Sequence, residues 1–376
     1  MNIRTFSCLC YALCLAACGW AQGVSFSGNV PQAVSAPFAG VSGGYLLLAG
    51  GCNFPDVPAS EGGVKQYYTA VWAKQADQAW RCVGSLPEET AYGASITLPE
   101  GVLCLGGLNA NGAMRAVYLL RIEDSGRLAR TDYPPLPVSM DNFAAAYAEG
   151  KVYVTGGNQG GKPGQALYAL DLETHSWEAL PAFPGAARVQ PVLLATSDAL
   201  YLAGGFEPGD RDMPPQLSAD LLRYAISQQE WERVGEVLPL ADSPRTLTGG
   251  YGVALGDTCL LFGGGVNWQR FADALDRPRQ LYLAEQVGDA ARADSIREES
   301  ANYLRHPVAW YRFNPELLAY HIPTGVWRVV DVSPQYAKAG AVCVVWNGKV
   351  WVLHGEIKPG VRTAEMVSVN AQTVEK

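Results

Sequence analysis

Short apolar runs that end in glycine recur along the chain at intervals of about fifty residues. Another apolar run precedes each of them, and in the last copy the two runs flank Asn347-Gly348, which is typical of a β-hairpin. The six copies lie at residues 45–51, 102–107, 152–157, 200–205, 259–264 and 350–355. Such a repeat of β-rich segments predicts six similar units built from antiparallel strands.

A tyrosine followed by a tryptophan marks the second half of several units. The pairs are Tyr168 with Trp177, Tyr224 with Trp231, and Tyr320 with Trp327. Together with the glycines these residues resemble the Kelch repeat, in which the glycine pair ends the second of four strands and the Tyr and Trp mark the third and fourth. The resemblance implies an all-β fold, a six-bladed Kelch-type β-propeller that forms one domain over residues 22–376. The glycines would let neighbouring blades approach where a Cβ would clash.

The interval between the fifth and sixth glycine runs is much longer than the others, and its excess covers residues 267–306. Apolar positions such as Leu281, Leu283, Val287 and Ile296 lie there among alternating charges. This pattern favours one or two amphipathic helices. We expect a small helical insertion that caps one rim of the propeller; the alternative is a solvated decoration without a role.

The sixth unit has room for only one strand after its glycine, at about residues 364–369. The early apolar run at residues 24–30 can supply the missing outer strand. Pairing it there would close the ring and remove exposed strand edges.

Residues 1–21 are typical of a secretory signal peptide, with Arg4 before an apolar run and small residues at its end. The sequence is compatible with two alternative cleavage sites. Gly19-Trp20-Ala21 suits an ordinary signal peptidase, whereas Leu15-Ala16-Ala17-Cys18 resembles a bacterial lipobox that would place a lipid anchor on Cys18. Either one predicts export to the bacterial periplasm or cell envelope. No later segment has the 18 uninterrupted apolar residues of a spanning helix.

Composition narrows the possible functions. With 48% apolar and 17% charged residues the chain is not expected to be disordered, and 28 basic against 36 acidic residues disfavour nucleic acid as a partner. The cysteines after the signal are scattered at positions 52, 82, 104, 259 and 343. The histidines, His175, His306, His321 and His354, are not spaced as a metal pair. We therefore expect neither a metal nor another cofactor.

The predicted topology places the loops after the second and fourth strands of each blade on one face. The polar residues expected there include Asn53, Asn109, Asn158, Asn267, Tyr92, Asp141, Asn142, Gln190 and Tyr336. Five cations should converge on the same funnel: Arg188, Arg245, Lys338, Lys358 and Arg362. Such a set favours a small anionic ligand held by guanidinium groups; the alternative is the ordinary polarity of a propeller rim.

The segment Gly355-Glu-Ile-Lys-Pro-Gly-Val-Arg-Thr363 carries the most specific signal. It resembles the Gly-Glu-x-Lys-Pro-Gly-x-Arg-Thr motif of bacterial N-acetylneuraminate epimerases, the sialic acid mutarotases, in their cyclically permuted subgroup. The resemblance implies an isomerase that interconverts the α and β anomers of sialic acid, with Glu356 as proton acceptor and Arg362 as its essential partner. The residues it suggests for substrate binding are Arg188, Gln190, Tyr336, Tyr92, Asn53 and Lys358.

Two departures from the family pattern concern the substrate contacts. Thr90 stands where the family has an arginine before Ala-Tyr-Gly, and Asn53-Phe-Pro-Asp56 replaces a basic loop after the first glycine pair.

The implied reaction suits this residue set. Anomerisation needs the anomeric hydroxyl deprotonated and the ring oxygen protonated, and one partly desolvated carboxylate can shuttle that proton. A sialidase is disfavoured because the Ser-x-Asp-x-Gly-x-x-Trp box is absent, and a copper oxidase because paired histidines are absent. The remaining alternative is a non-catalytic Kelch propeller that binds a glycan or a partner protein.

Overall fold

The computed structural model describes residues 25–241 and 243–374. The predicted signal segment, including Cys18 and Ala21, lies outside the described residues. Strands dominate the described chain, so the all-β prediction is confirmed.

Six antiparallel sheets, each with four main strands, form the framework of the described residues. Sheet 1 contains Phe38–Ser42, Tyr45–Ala49, Ala70–Lys74 and Arg81–Ser85. Sheet 2 contains Ala94–Leu98, Gly101–Leu105, Val117–Ile122 and Leu128–Asp132. Sheet 3 contains Ala144–Ala148, Lys151–Thr155, Leu167–Asp171 and Ser176–Leu180.

The later sheets follow the same order with two variations. Sheet 4 contains Val189–Ala195, Ala199–Glu207, Asp220–Ala225 and Glu230–Glu236, and its second strand also pairs with Gln216–Leu217. Sheet 5 contains Tyr251–Leu255, Cys259–Gly263, Glu316–His321 and Val326–Val332. Sheet 6 contains Val342–Trp346, Lys349–Leu353 and Glu365–Asn370, and its outermost strand is the N-terminal Ser25–Asn29. The predicted pairing of the early run with the last strand is therefore present.

Short hairpins extend several sheets on one side. Their strands are Cys52–Asn53 with Gln66–Tyr67, Leu108–Asn109 with Gly112–Ala113, Asn158–Gln159 with both Met140–Asp141 and Lys162–Pro163, and Glu356–Lys358 with Val361–Arg362. Short 3₁₀ turns lie at Ala59–Glu61, Tyr303–Arg305, Ile322–Thr324 and Pro334–Tyr336.

The predicted insertion is helical. Helix α1 spans Trp268–Gln286, α2 spans Ala290–Asn302 and α3 spans Val308–Tyr311, while a short α4 at Ala371–Val374 follows the last strand. The side chain of Asn267 accepts a hydrogen bond from the backbone N–H of Arg270 at 3.1 Å and so caps α1. Within the described ranges, no helix combines the length and apolar character needed to cross a bilayer.

The hydrophobic core is divided among the interfaces between neighbouring sheets. One cluster joins sheets 1 and 2, with Leu47 and Val102 among its buried members, and comparable clusters join each later pair. A sixth cluster joins sheet 6 to sheet 1 through Trp351 and Leu46. Each sheet therefore buries both faces against its neighbours, which explains the apolar character of its inner strands.

The repeated glycines allow these close approaches. Gly50 has φ +68°, and a Cβ there would lie 2.4 Å from the carbonyl oxygen of Thr90 in the loop before sheet 2. In sheet 6 the corresponding residue is His354, which keeps the left-handed conformation at φ 60° and is buried. Burial lowers the pKa of His354 to about 3, so its imidazole is neutral at pH 7.

A buried lysine makes one stability prediction. Lys338 is fully buried, and burial lowers its pKa to about 8. A group with a lowered pKa in the folded state destabilises the fold below that pKa, and stability returns as pH rises towards the unfolded value near 10.4. Lys338→Met should therefore be about 1–3 kcal/mol more stable than wild type in urea unfolding at pH 7, with a smaller difference at pH 10.

The exposed Lys162 provides the control for this comparison, and Lys162→Met should leave stability unchanged. A Lys338→Met protein that is no more stable than wild type at pH 7 would contradict the prediction.

Candidate active site

A cavity of about 340 Å³ lies where the insertion of sheet 5 meets the loops before the innermost strands. Its volume is within the range of small-molecule sites. The loops and the hairpin of sheet 6 contribute Ser35, Tyr92, Gln190, Ala339, Gly340, Glu356 and Pro359. The insertion and its flanks contribute Val266, Asn267, Arg270, Phe271, Ala274, Leu275, Tyr303, Tyr311 and Phe313. The helical insertion thus covers the cavity with mostly apolar side chains.

A closed cycle of backbone hydrogen bonds borders this cavity. One residue at or just before the start of each innermost strand has φ between 52° and 69°, and its N–H donates to the carbonyl of its counterpart in the preceding sheet at 2.8–3.0 Å. The six residues are Ala36, Tyr92, Asn142, Gln190, Gly249 and Gly340. A positive φ is costly for Tyr and Gln, so the cycle holds the backbones of Tyr92 and Gln190 in a conformation they would not adopt alone.

Glu356 and Arg362 form an ion pair at the cavity wall. They face each other across the hairpin of sheet 6, and Arg362 Nη2 lies 2.5 Å from Glu356 Oε1. Arg362 Nε also donates to Ser35 Oγ at 3.1 Å, and the Arg362 side chain is only 3% exposed. Glu356 and Ser35 line the cavity, whereas Arg362 is not among the lining residues. The guanidinium therefore orients two groups that do.

The carboxyl of Glu356 is suited to accept a proton. Burial raises its pKa above the usual range, and the positive charges of Arg362 and Lys65 oppose that rise. A carboxylate with a raised pKa is a stronger base than one in water.

Lys65, which is not itself among the lining residues, contacts one of them from the hairpin of sheet 1. Its ammonium donates to the hydroxyl of Tyr92 at 3.0 Å. It also lies 6.0 Å from the ring centroid of Phe54. The guanidinium carbon of Arg362 lies 4.9 Å from the same centroid. Lys65 thus supplies a basic group in the very loop where Asn53-Phe-Pro-Asp56 departs from the family pattern.

Lys358 anchors the insertion. Its ammonium donates to the carbonyls of Leu304 at 3.2 Å and His306 at 2.7 Å. Lys358 therefore holds the helical insertion in place. It is not among the residues that line the cavity.

Three other predicted funnel cations lie away from the cavity. Arg188 Nη2 contacts both carboxylate oxygens of Asp220 at 2.9 Å. Arg245 pairs with Glu316 at 2.7 Å, and Lys338 donates to the carbonyl of Glu365 at 3.2 Å.

Each of these three cations precedes an innermost strand and reaches the first residue of the third strand in its own sheet. All three are buried, so a nearby acid or carbonyl is needed to offset the lost hydration. The structure therefore does not bring Arg188 to the cavity as a substrate ligand.

Two further predicted ligands are also engaged elsewhere. Tyr336 is fully buried and donates its hydroxyl to Asp331 Oδ2 at 2.9 Å. Asn53 donates to the carbonyl of Ala33 at 2.9 Å and accepts from the hydroxyl of Tyr68 at 2.7 Å. Neither residue lines the cavity, in contrast to Tyr92, Gln190 and Glu356.

Sequence reasoning missed Ser35, Lys65, Arg270 and the aromatic side chains of the insertion. The insertion was predicted as a helical cap, but amphipathicity alone does not tell which residues face the cavity. Lys65 lies more than ten residues beyond the first glycine pair, and only the return of the hairpin brings it back to the funnel.

Comparisons with known proteins agree with this architecture. The solved structure of YjhT superposes on 91% of this chain and 96% of its own length with a TM-score of 0.61, at 15% identity, which concerns the fold alone. The N-acetylneuraminate epimerases of Salmonella paratyphi B and Haemophilus influenzae are 29% and 34% identical to the chain over 235 and 238 residues.

Each of these two alignments covers 62% of this chain, and the chain spans only 57% and 58% of the length of the two relatives. The model of the N-acetylneuraminate epimerase family matches residues 21–128 and 133–375. Because this match covers nearly the whole sequence, the chain belongs to the N-acetylneuraminate epimerase family.

Proposed function

We propose that this protein is an isomerase, a mutarotase that interconverts the α and β anomers of N-acetylneuraminate. The observation that carries the proposal is the half-buried Glu356, paired with Arg362 in a covered cavity of about 340 Å³. Membership of the epimerase family supports the same reaction and substrate.

The six sheets are, in this proposal, the blades of one closed six-bladed propeller that forms a single domain. Its support is the cycle of six backbone hydrogen bonds, together with the hydrophobic cluster shared by sheets 6 and 1. Closure would fix the distance between Glu356 on sheet 6 and the loops of sheets 1 to 4, and so preorganise the site.

The proposed reaction opens and recloses the sugar ring. Glu356 takes the proton of the anomeric hydroxyl, the bond from the anomeric carbon to the ring oxygen breaks as that oxygen gains a proton, and the keto form rotates before the ring closes on the other face with the reverse proton transfers. Arg362 keeps the carboxylate ionised and oriented by its charge and its hydrogen bonds. General acid-base assistance of roughly 10²- to 10⁴-fold would suffice for a reaction that also proceeds unaided.

The test is proton NMR of sialic acid released as the α anomer by a retaining sialidase. Faster growth of the β anomer in the presence of the protein supports the proposal. Binding of the sugar without acceleration would instead favour the alternative, a propeller that binds a glycan or a partner protein without catalysis.

Arg270 is the proposed ligand of the substrate carboxylate. It lines the cavity, its guanidinium lies 4.1 Å from the ring centroid of Trp310, and it has no ion-pair partner among the residues that the structure describes. Arg270→Gln should raise KM for sialic acid roughly 10- to 100-fold, because a charge-assisted hydrogen bond to the substrate carboxylate is lost. The value of kcat should stay nearly unchanged, because Arg270 takes no part in the proposed proton transfers.

The methyl ester of sialic acid separates charge recognition from a general loss of binding. Wild type should discriminate against the ester, and Arg270→Gln should not. Arg292→Gln is the matched control, since Arg292 of α2 donates to Gln280 between the helices. An unchanged preference for the acid in Arg270→Gln would exclude this role.

Export is proposed on the pattern of residues 1–21, to the periplasm or cell envelope, either free or lipidated at Cys18. Mass spectrometry of the mature protein distinguishes the two forms, because they differ in the cleavage site and in the lipid on Cys18. An uncleaved chain in the cytosol would refute export.

A further inference from the structure

Ring opening moves two protons, and the proposed function assigns a residue to only one of them. Glu356 accepts from the anomeric hydroxyl, while the ring oxygen must gain a proton as its bond to the anomeric carbon breaks. A second group in the same cavity that donates a proton would make the two transfers concurrent. The inference below rests on the proposed function and extends it to this second proton.

The hydroxyl of Tyr92 is placed for that transfer. Tyr92 lines the cavity together with Glu356, and burial and the negative charge of Glu356 raise the pKa of its hydroxyl, which keeps the phenol protonated while Glu356 is ionised. The backbone of Tyr92 is held by the cycle of hydrogen bonds at φ 59°. The phenol is thus fixed to a rigid part of the fold rather than to a mobile loop.

Lys65 sets the direction of the phenol proton. An ammonium has only donors, so in the 3.0 Å contact the phenol oxygen is the acceptor. The proton of Tyr92 is then available to another acceptor. The neighbouring Cys52 thiol is a weak one, and a sugar oxygen in the cavity would be stronger.

The ammonium of Lys65 also compensates the charge that the transfer creates. It lies 4.9 Å from the Tyr92 ring centroid, and its charge acts on Glu356 as well. A tyrosinate formed beside an ammonium is stabilised relative to one in an apolar cavity.

We propose that Tyr92 donates the proton to the ring oxygen, and that Lys65 is the positioning residue that orients its hydroxyl. As the anomeric hydroxyl gives its proton to Glu356, the carbon–ring-oxygen bond breaks and the ring oxygen takes the proton of Tyr92. The open-chain ketone, protonated Glu356 and tyrosinate result. Reclosure returns both protons: the tyrosinate removes one from the hydroxyl that re-forms the ring, and Glu356 gives one to the anomeric oxygen.

The experiment measures anomerisation rates over a range of sugar concentrations. Tyr92→Phe should lower kcat roughly 10- to 30-fold with KM nearly unchanged, since the phenyl ring still fills its place. Lys65→Met should lower kcat about tenfold, and Lys65→Arg should restore most of that loss. Lys162→Met is the matched control, because Lys162 is an exposed lysine in the equivalent hairpin of sheet 3 and should behave as wild type.

The double variant tests whether Lys65 acts through Tyr92. If it does, adding Lys65→Met to Tyr92→Phe should cost little more than Tyr92→Phe alone. Multiplicative losses would overturn the positioning role, and a Tyr92→Phe protein with wild-type kcat would overturn the donor role. If Tyr92→Phe does not fold, the contrast between Lys65→Met and Lys65→Arg decides. If the wild-type protein does not accelerate anomerisation, the proposed function itself is wrong. That outcome is distinct from the others, because it is seen in the wild-type rate and not in a variant.

Discussion

Glu356→Gln is expected to abolish most of the acceleration, with a loss of roughly 10²- to 10⁴-fold in kcat for α-to-β anomerisation of sialic acid. The amide keeps the size of the side chain and a hydrogen-bonding oxygen beside Arg362, but it does not accept a proton near neutral pH. KM should change much less than kcat, since the sugar still fits the cavity. The measurement is the NMR time course with freshly released α anomer.

Two companion variants sharpen this prediction. Glu356→Asp retains the base but withdraws it by one methylene, so an intermediate rate is expected. Glu178→Gln alters an exposed glutamate on an outer strand and should match wild type. If Glu356→Gln retained wild-type kcat, Glu356 would not be the proton acceptor; if it lost binding to the same extent as turnover, the residue would serve recognition.

Arg362→Met is expected to lower kcat/KM at neutral pH by about 10²-fold or more, because Glu356 loses its closest positive charge and Ser35 loses its donor. The pKa of Glu356 is already raised by burial, and Arg362 opposes that rise. Its removal moves the pKa further up. Since the base works only when ionised, activity rises with pH through this pKa, and the rising limb should shift to higher pH in the variant.

The shape of the pH profile distinguishes this explanation from a loss of folding. Arg362→Met should recover part of its activity under alkaline conditions, while Arg362→Lys should keep the limb closer to its wild-type position. Lys65, Tyr92 and Tyr303 also interact with the charge of Glu356, and all three are unchanged in these variants. Arg130→Met, at an exposed outer strand, is the control. A uniform loss at every pH would argue against control of ionisation.

Much of the fold follows from local properties of the sequence. Strand positions come from apolar runs bounded by turn residues, and the glycines mark places where φ is positive and a neighbouring carbonyl leaves no room for a Cβ. The tyrosine and tryptophan of a unit do lie on its third and fourth strands, and in sheets 4 and 5 they face each other directly, as Tyr224 does Trp231. These features depend on a few neighbouring residues, so sequence suffices to find them.

The candidate base was also accessible from sequence, because Glu356 and Arg362 lie in one short segment and a hairpin brings them face to face. The remaining partners of the site were not. Arg188 and Arg245 were expected in the funnel, yet each is paired with an acid 32 and 71 positions away along the chain. A cation that becomes buried takes the nearest carboxylate, and only the tertiary structure decides which one that is.

The sequence by itself therefore determined the repeated strands, the helical insertion and the candidate proton acceptor, since each is specified within a short stretch of chain. The tertiary structure decided which charges remain free to meet a ligand. It buries Arg188 and Lys338 between sheets, returns Lys65 to Tyr92 through a hairpin, and brings Arg270 over the cavity on the insertion. These placements depend on contacts between distant segments, and the energy of a buried charge is set by the partners that packing provides.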